Sequence, residues 1–337
     1  VSVKRDSLSV GLAVGAAGTA FGAVAVADHF SVAQACFLSF VLFSGASQFS
    51  LVAVMSAGGS TLSAVFVNLS ARAQVTTTDP LIAGLVIGGT SSQTVLLRAI
   101  GPALSAYGVT TAIPNPRMRL YSSSGAIVSQ NTGWGGSSTL TTVFNQVGAF
   151  PLTAGSTDAA MLVTLAPGSY SVVVDDVNGA SGVALAEVYA TTTALSSPSH
   201  LVNLSARSTA SSGQTTLIGG FVVSGTATKR VLIRGVGPTL ASYGVSAYMP
   251  NPTLSLYDVN SVLLAQNTNW NNPTTVTSGQ PAASAAALIL AASQAGAFPF
   301  NSGSADSAII VNLAPGTYSA QVTGTTGTAL VEVYELP

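Results

Sequence analysis

Side chains able to do chemistry are scarce in this sequence. Charged residues make up 6% of the 337-residue chain, which holds one Cys and two His. Four charged positions occur twice, at corresponding places in two halves of the chain: Arg72/Arg207, Arg98/Arg234, Asp158/Asp306 and Glu187/Glu332. One reading is a ligand or metal site built twice. The surroundings favour a structural reading, because Arg98 and Glu187 lie among apolar residues of strand type, where an unpaired charge is costly to bury. An ion pair or a carboxylate that holds a turn relieves that cost.

Two further sets are candidates. Asp175, Asp176 and Asn178 offer hard oxygens suited to Ca²⁺, but the corresponding Val322-Thr323-Gly324-Thr325 has no carboxylate, and an Asp/Asn-stabilised turn explains the first copy equally. Asn131/Trp134 and Asn267/Trp270 contain both Trp of the chain. An exposed Trp beside Asn suits stacking on a sugar ring, whereas a Trp closing the end of a β core is the structural alternative. Asn68-Leu69-Ser70 and Asn203-Leu204-Ser205 have the form of glycosylation sequons and read better as strand. His29 and His200 occupy unrelated places and Cys36 lies in an apolar run, so neither a Ser/His nor a Cys-based site assembles. No nucleophile elbow, phosphate loop or catalytic carboxylate pair is present, and the expectation is a protein that is not an enzyme and needs no cofactor. A net charge of −1 without a basic cluster argues against nucleic acid as a partner.

These positions sit in a tandem duplication. Val67-Asn68-Leu69-Ser70-Ala71-Arg72 returns as Val202-Asn203-Leu204-Ser205-Ala206-Arg207, and Leu96-Leu97-Arg98-Ala99-Ile100-Gly101-Pro102 as Leu232-Ile233-Arg234-Gly235-Val236-Gly237-Pro238. Gly148-Ala149-Phe150-Pro151 matches Gly296-Ala297-Phe298-Pro299, and Glu187-Val188-Tyr189 matches Glu332-Val333-Tyr334. The expected units are repeat 1 at 67–190, a Thr/Ser-rich linker at 191–200 and repeat 2 at 201–337. The second copy has an insertion near 273–292 whose Ala-rich end predicts a short helix.

Each copy reads as short β runs bounded by Gly, Pro and Asn. In the first copy they fall at 66–72, 81–88, 94–100, 117–122, 126–130, 159–165, 169–175 and 183–189. Eight short strands in so short a stretch predict a mainly β fold of two tandem β-sandwich or jelly-roll repeats. Leu165-Ala166-Pro167-Gly168 followed by Tyr170 and alternating Val, with Asn131 and Trp134 upstream, resembles secreted bacterial β-sandwich modules of the pre-peptidase C-terminal kind. That resemblance implies surface attachment, substrate contact or assembly; a carbohydrate or surface polymer is a further candidate partner.

Ahead of the repeats lies an apolar segment, residues 1–60. Between residues 7 and 57 there is one Asp, one His and no Lys or Arg. Leu8–Ala27 and Val32–Met55 each reach the length of a membrane span, with Gly11, Gly15, Gly18 and Gly22 at helical spacing. The preferred reading is an α-helical hairpin turning at Asp28 and His29; a cleavable signal peptide and the core of a polymer are the rivals. Phe43-Ser44-Gly45-Ala46-Ser47-Gln48-Phe49 and Ala57-Gly58-Gly59-Ser60, with Gly15, Phe21 and Gly22, resemble the opening helices of the AzlC branched-chain amino acid permeases. That resemblance implies a membrane origin. Lys4 and Arg5 favour a cytoplasmic N-terminus, so a two-span hairpin would return the repeats to that side. An exported position then requires cleavage, a single span or assembly outside the cell.

The sequence therefore leads to an envelope-anchored or extracellular structural protein, its partners being membrane lipid or copies of itself through residues 7–57. A self-assembling filament or sheath subunit, and a remnant or fusion of a permease, are the alternatives.

Overall fold

The computed structural model describes residues 64–192, 197–272, 275–276 and 282–337. The expected N-terminal hairpin falls outside them. Among the described residues no helix is long and apolar enough to cross a membrane.

The described chain is mainly β, and its named ladders are antiparallel. The first copy supplies β1 (Ala64–Val75), β2 (Leu81–Gly89), β3 (Gln93–Ile100), β4 (Pro116–Ser122), β5 (Ile127–Asn131), β6 (Ala159–Leu165), β7 (Gly168–Asp176) and β8 (Gly182–Ala190). The second supplies β9 (Ser199–Ala210), β10 (Leu217–Gly225), β11 (Lys229–Val236), β12 (Thr253–Asp258), β13 (Leu263–Asn267), β15 (Ser307–Leu313), β16 (Gly316–Thr323) and β17 (Gly327–Glu335). An additional two-residue strand, β14 (Thr275–Val276), lies in the insertion, which ends in helix α2 (Ala285–Gln294). The first copy has a helix at the corresponding place, α1 (Ser138–Val147). His200, read from the sequence as linker, is the second residue of β9, with Nε2 3.2 Å from Glu335 Oε2.

The ladders run in two rows. One row is β6–β3–β8–β1–β10–β16–β12–β13–β14. The other is β15–β11–β17–β9–β2–β7–β4–β5. Among the described residues a single ladder pairing joins them, Phe66 with Leu201, and no ladder closes either row on itself. Each row takes four strands from each copy, and the first row adds β14 of the insertion. At the joints β1 pairs with β10 and β9 with β2, so Ser70 faces Gly220 and Ser205 faces Gly84. The two copies are thus related by an internal pseudo-twofold and fused edge to edge, each completing the other's rows.

Burial follows from the strand period of two. Leu81, Ala83, Leu85 and Ile87 of β2 are buried while their neighbours are half-exposed. These residues join one apolar cluster with residues of both rows and both copies, including Phe66, Leu97, Leu120, Leu204, Phe221, Ile233, Leu256 and Val331. β3 and β8 depart from the alternation and are buried on both faces. A second cluster explains this: Leu96, Ile100 and Tyr189 on their outer face are covered by Trp134 and by Leu140 and Phe144 of α1.

The copies are also stitched by side chains. The Thr209 backbone N–H and hydroxyl both donate to Asp79 Oδ2. The Ser91 N–H donates to Ser199 Oγ at 2.8 Å.

Candidate functional site

The recurrent charges lie mostly between the rows and the segments that cover them. Arg98 on β3 stands directly across the ladder from Glu187 on β8, because the register pairs these two residues. Arg98 Nε is 3.1 Å from Glu187 Oε2, and the two side chains are 0% and 4% exposed. The Tyr189 hydroxyl donates to Glu187 Oε1 at 2.7 Å, and Arg98 Nη1 donates to the Phe150 carbonyl at 2.8 Å. The guanidinium lies over the rings of Phe144 and Phe150, 4.7 and 4.3 Å from their centroids, a geometry that favours a desolvated cation. In the second copy Arg234 Nε is 3.2 Å from Glu332 Oε2, the Tyr334 hydroxyl donates to Glu332 at 2.7 Å, and the Phe300 ring lies 4.1 Å from the guanidinium carbon.

Burial pushes the Glu187 and Glu332 carboxyls up from their ordinary value, while the facing arginine and tyrosine pull them back. It raises Tyr189 and Tyr334 strongly, and the adjacent carboxylate adds to that shift. In each network the arginine and the carboxylate are buried against one another.

Asp158 and Asp306 are wholly buried. Each follows a loop and opens an edge strand, where it takes backbone donors from a 3₁₀ turn. Asp158 Oδ1 accepts the N–H of Gly101 at 2.8 Å and of Ala103 at 3.4 Å. Asp306 Oδ1 accepts Gly237 N–H at 2.7 Å, and Oδ2 accepts both the N–H and the hydroxyl of Thr239. The Gly-Pro that opens each turn is explained by space: a Cβ on Gly101 would sit 2.1 Å from the Ile113 carbonyl oxygen, and one on Gly237 2.0 Å from that of Met249. The copies differ in one atom's satisfaction. Among the described residues Asp158 Oδ2 has no hydrogen-bond partner, because Ala103 stands where the second copy has Thr239.

The asparagines and tryptophans are structural in placement. Asn131 Oδ1 accepts the N–H of Gly133 at 3.0 Å and of Ala160 at 3.2 Å, so the last strand of one row caps the end strand β6 of the other. Asn267 Oδ1 does the same for Ala308 of β15 at 3.1 Å. Trp134 and Trp270 are 6% and 7% exposed. Trp134 Nε1 donates to the Thr153 carbonyl and to Ser156 Oγ, and Trp270 Nε1 to Ser304 Oγ. Neither indole offers a free face for stacking on a sugar.

The Asp175/Asp176/Asn178 set is divided between two tasks. Asp175 is held by Arg117 at 2.8 Å and Arg119 at 2.6 Å. Asp176 accepts backbone N–H groups from Asn115, Asn178 and Ala180. Both carboxylates are thus occupied by donors. Arg72 and Arg207 are half-buried on the outer faces and have no ion pair among the described residues.

Some contributors were not read from the sequence. Asp79 has no carboxylate counterpart in the other copy, so the repeat comparison passed over it. Helix α1 carried a signal: Ser137 Oγ accepts the Leu140 N–H, Leu140 and Phe144 are spaced to share one face, and Gly148 ends the helix in the left-handed region. A shallow cleft of about 260 Å³ lies where α1 meets β1, lined by Val67, Asn68, Gln146, Val147, Tyr189 and Val222.

The AzlC protein family matches residues 9–75, less than a quarter of the chain, and that match ends within the β body at the last residue of β1. No curated protein matches. Among solved structures, a DUF4785 family protein from Legionella pneumophila is 10% identical, with 81% of this chain and 84% of that one covered at a TM-score of 0.23. The pilus 2b backbone protein of group B streptococcus is 11% identical, with 74% and 82% covered at a TM-score of 0.14. Scores of this size do not establish a shared fold.

Proposed function

We propose that this chain is a non-enzymatic structural protein of the cell envelope or extracellular surface, which displays two β-sandwich repeats fused edge to edge. The observation that carries the reading is the fate of its recurrent polar groups. The buried arginines, carboxylates, asparagines and tryptophans at matching positions are spent on holding strands, turns and covering segments together. A scaffold needs such groups, and the cleft beside α1 is lined by none of the recurrent arginines or carboxylates.

The apolar segment at 7–57 supplies attachment, to lipid or to other copies of the chain. The AzlC match at 9–75 favours lipid. A large apolar surface of this kind is rarely left in water. Removing residues 1–60 is expected to give a soluble protein with unchanged β content, while the full chain requires detergent or sediments as a polymer. Sedimentation with circular dichroism reads both properties. A full chain that is a soluble monomer without detergent would overturn attachment by either route.

The match to the AzlC family also favours a second reading, a fusion that retains part of a permease. Uptake of branched-chain amino acids by a membrane fraction carrying the chain would support it; the structural reading expects none.

A further inference from the structure

The two rows have four ends, and the fold treats them differently. β6 and β15, at one end of each row, give a backbone N–H to the side chains of Asn131 and Asn267. At the opposite end of the first row, β13 is covered by β14, which pairs Val276 with Ala265 and Thr275 with Gln266. β5, the counterpart of β13, pairs only with β4 among the described residues.

Burial records the difference position by position. Ile127, Val128, Ser129, Gln130 and Asn131 correspond to Leu263, Leu264, Ala265, Gln266 and Asn267. Each residue of β13 falls one step deeper than its counterpart, from exposed to half-buried or from half-buried to buried. Ile127 and Val128 are 54% and 47% exposed. The strand Ile-Val-Ser-Gln-Asn contains no charge and no proline, two of the devices by which proteins protect a bare edge.

We infer that β5 is a self-association edge, and that its occupant is β5 of a second copy of this chain, added as an antiparallel strand. Three observations select that occupant. The equivalent edge in the second copy already accepts an added strand, so the geometry of this sheet end permits one. The two repeats are themselves joined by antiparallel edge pairing, β1 with β10 and β9 with β2. An uncharged strand is complementary to itself, and antiparallel pairing about a twofold axis closes at a dimer. The interface extends the row ending in β5 across that axis, and full overlap of the two strands sets Ile127 opposite Asn131 and Val128 opposite Gln130 of the other copy. It is independent of where the protein resides and of what residues 7–57 contact.

The test uses the full chain in detergent with Cys36→Ser, which removes the only cysteine. Cysteines are then placed singly at residues 127–130 and, as a control, at Gln266. Oxidation is expected to give disulfide-linked dimers from at least one β5 position and none from Gln266→Cys, whose strand is covered. In the cysteine-free chain, Ile127→Lys with Val128→Lys is expected to reduce the sedimenting protein mass about twofold, from dimer to monomer, with an unchanged circular dichroism spectrum. Absence of a β5 disulfide, or a dimer that survives the double lysine change, overturns the inference. Association that persists in every variant without a β5 disulfide assigns assembly to residues 7–57 and leaves the attachment reading standing.

Discussion

Phe144 and Phe300 occupy the same place in the two copies although the repeat alignment does not equate them. Phe144 lies 5.8 Å from Trp134 by ring centroids and 4.7 Å from the Arg98 guanidinium carbon; Phe300 lies 5.6 Å from Trp270 and 4.1 Å from that of Arg234. In sequence Phe144 corresponds to Ala292, and Phe300 to Leu152. One copy brings its ring from helix α1 and the other from the segment after the Gly-Ala-Phe-Pro turn. What the fold maintains is a ring between tryptophan and arginine.

Phe144→Ala is therefore expected to cost about 3–5 kcal/mol, the usual loss for a buried Phe. Adding Leu152→Phe should recover part of that loss by recreating the second copy's arrangement. Denaturant unfolding of the single and double variants gives the coupling; strict additivity would show that the two rings do not substitute for one another.

Arg98→Met leaves Glu187 buried without its cation, and a loss of about 3–5 kcal/mol is expected. Arg98→Met with Glu187→Gln should be less destabilised than the sum of the single changes. Thermal unfolding of all three variants completes the cycle, and an unaffected melting temperature in Arg98→Met would show that the pair contributes nothing.

Ala103→Thr should stabilise the protein by about 1 kcal/mol, by giving Asp158 Oδ2 the hydroxyl donor that Thr239 gives Asp306. Thr239→Ala should lose about 1–3 kcal/mol, since it leaves a buried acceptor unsatisfied. The two changes are mirror images, and chemical denaturation reads both signs.

Tyr189 and Tyr334 are raised above the ordinary value of 10.0, by burial first and then by the neighbouring carboxylate. The unfolded chain ionises these phenols earlier than the folded one, so their contribution is complete below about pH 10 and is lost as pH rises beyond it. Absorbance titration should show two phenols that resist ionisation until the protein unfolds. In Tyr189→Phe with Tyr334→Phe, the alkaline fall in stability should be shallower.

The second copy expressed alone, residues 198–337, exposes both β9 and β10, which the first copy covers in the full chain. The internal twofold predicts that it pairs β9 with β10 of another molecule and sediments as a dimer with a dispersed amide spectrum. A well-dispersed monomer would show that the seam contributes little to folding. A collapsed spectrum would show that each copy requires the other within one chain.

The sequence by itself determined the duplication and, to within three residues at either end, the eight strands of the first copy. Alternating apolar residues and the Gly, Pro and Asn that interrupt them are local signals, and each copy repeats them. It also marked Arg98 and Glu187, because a charge within an apolar strand must find a partner, and Asp158, because its carboxylate recurs as Asp306. Only the tertiary structure decided where the strands go. The seam of β1 with β10 and of β9 with β2 is made by backbone hydrogen bonds, which every residue but proline can form, so no side-chain pattern announces it. The ring between Trp and Arg escaped for a related reason. Packing selects volume at a point in space, and two positions far apart in an alignment can deliver the same ring to that point.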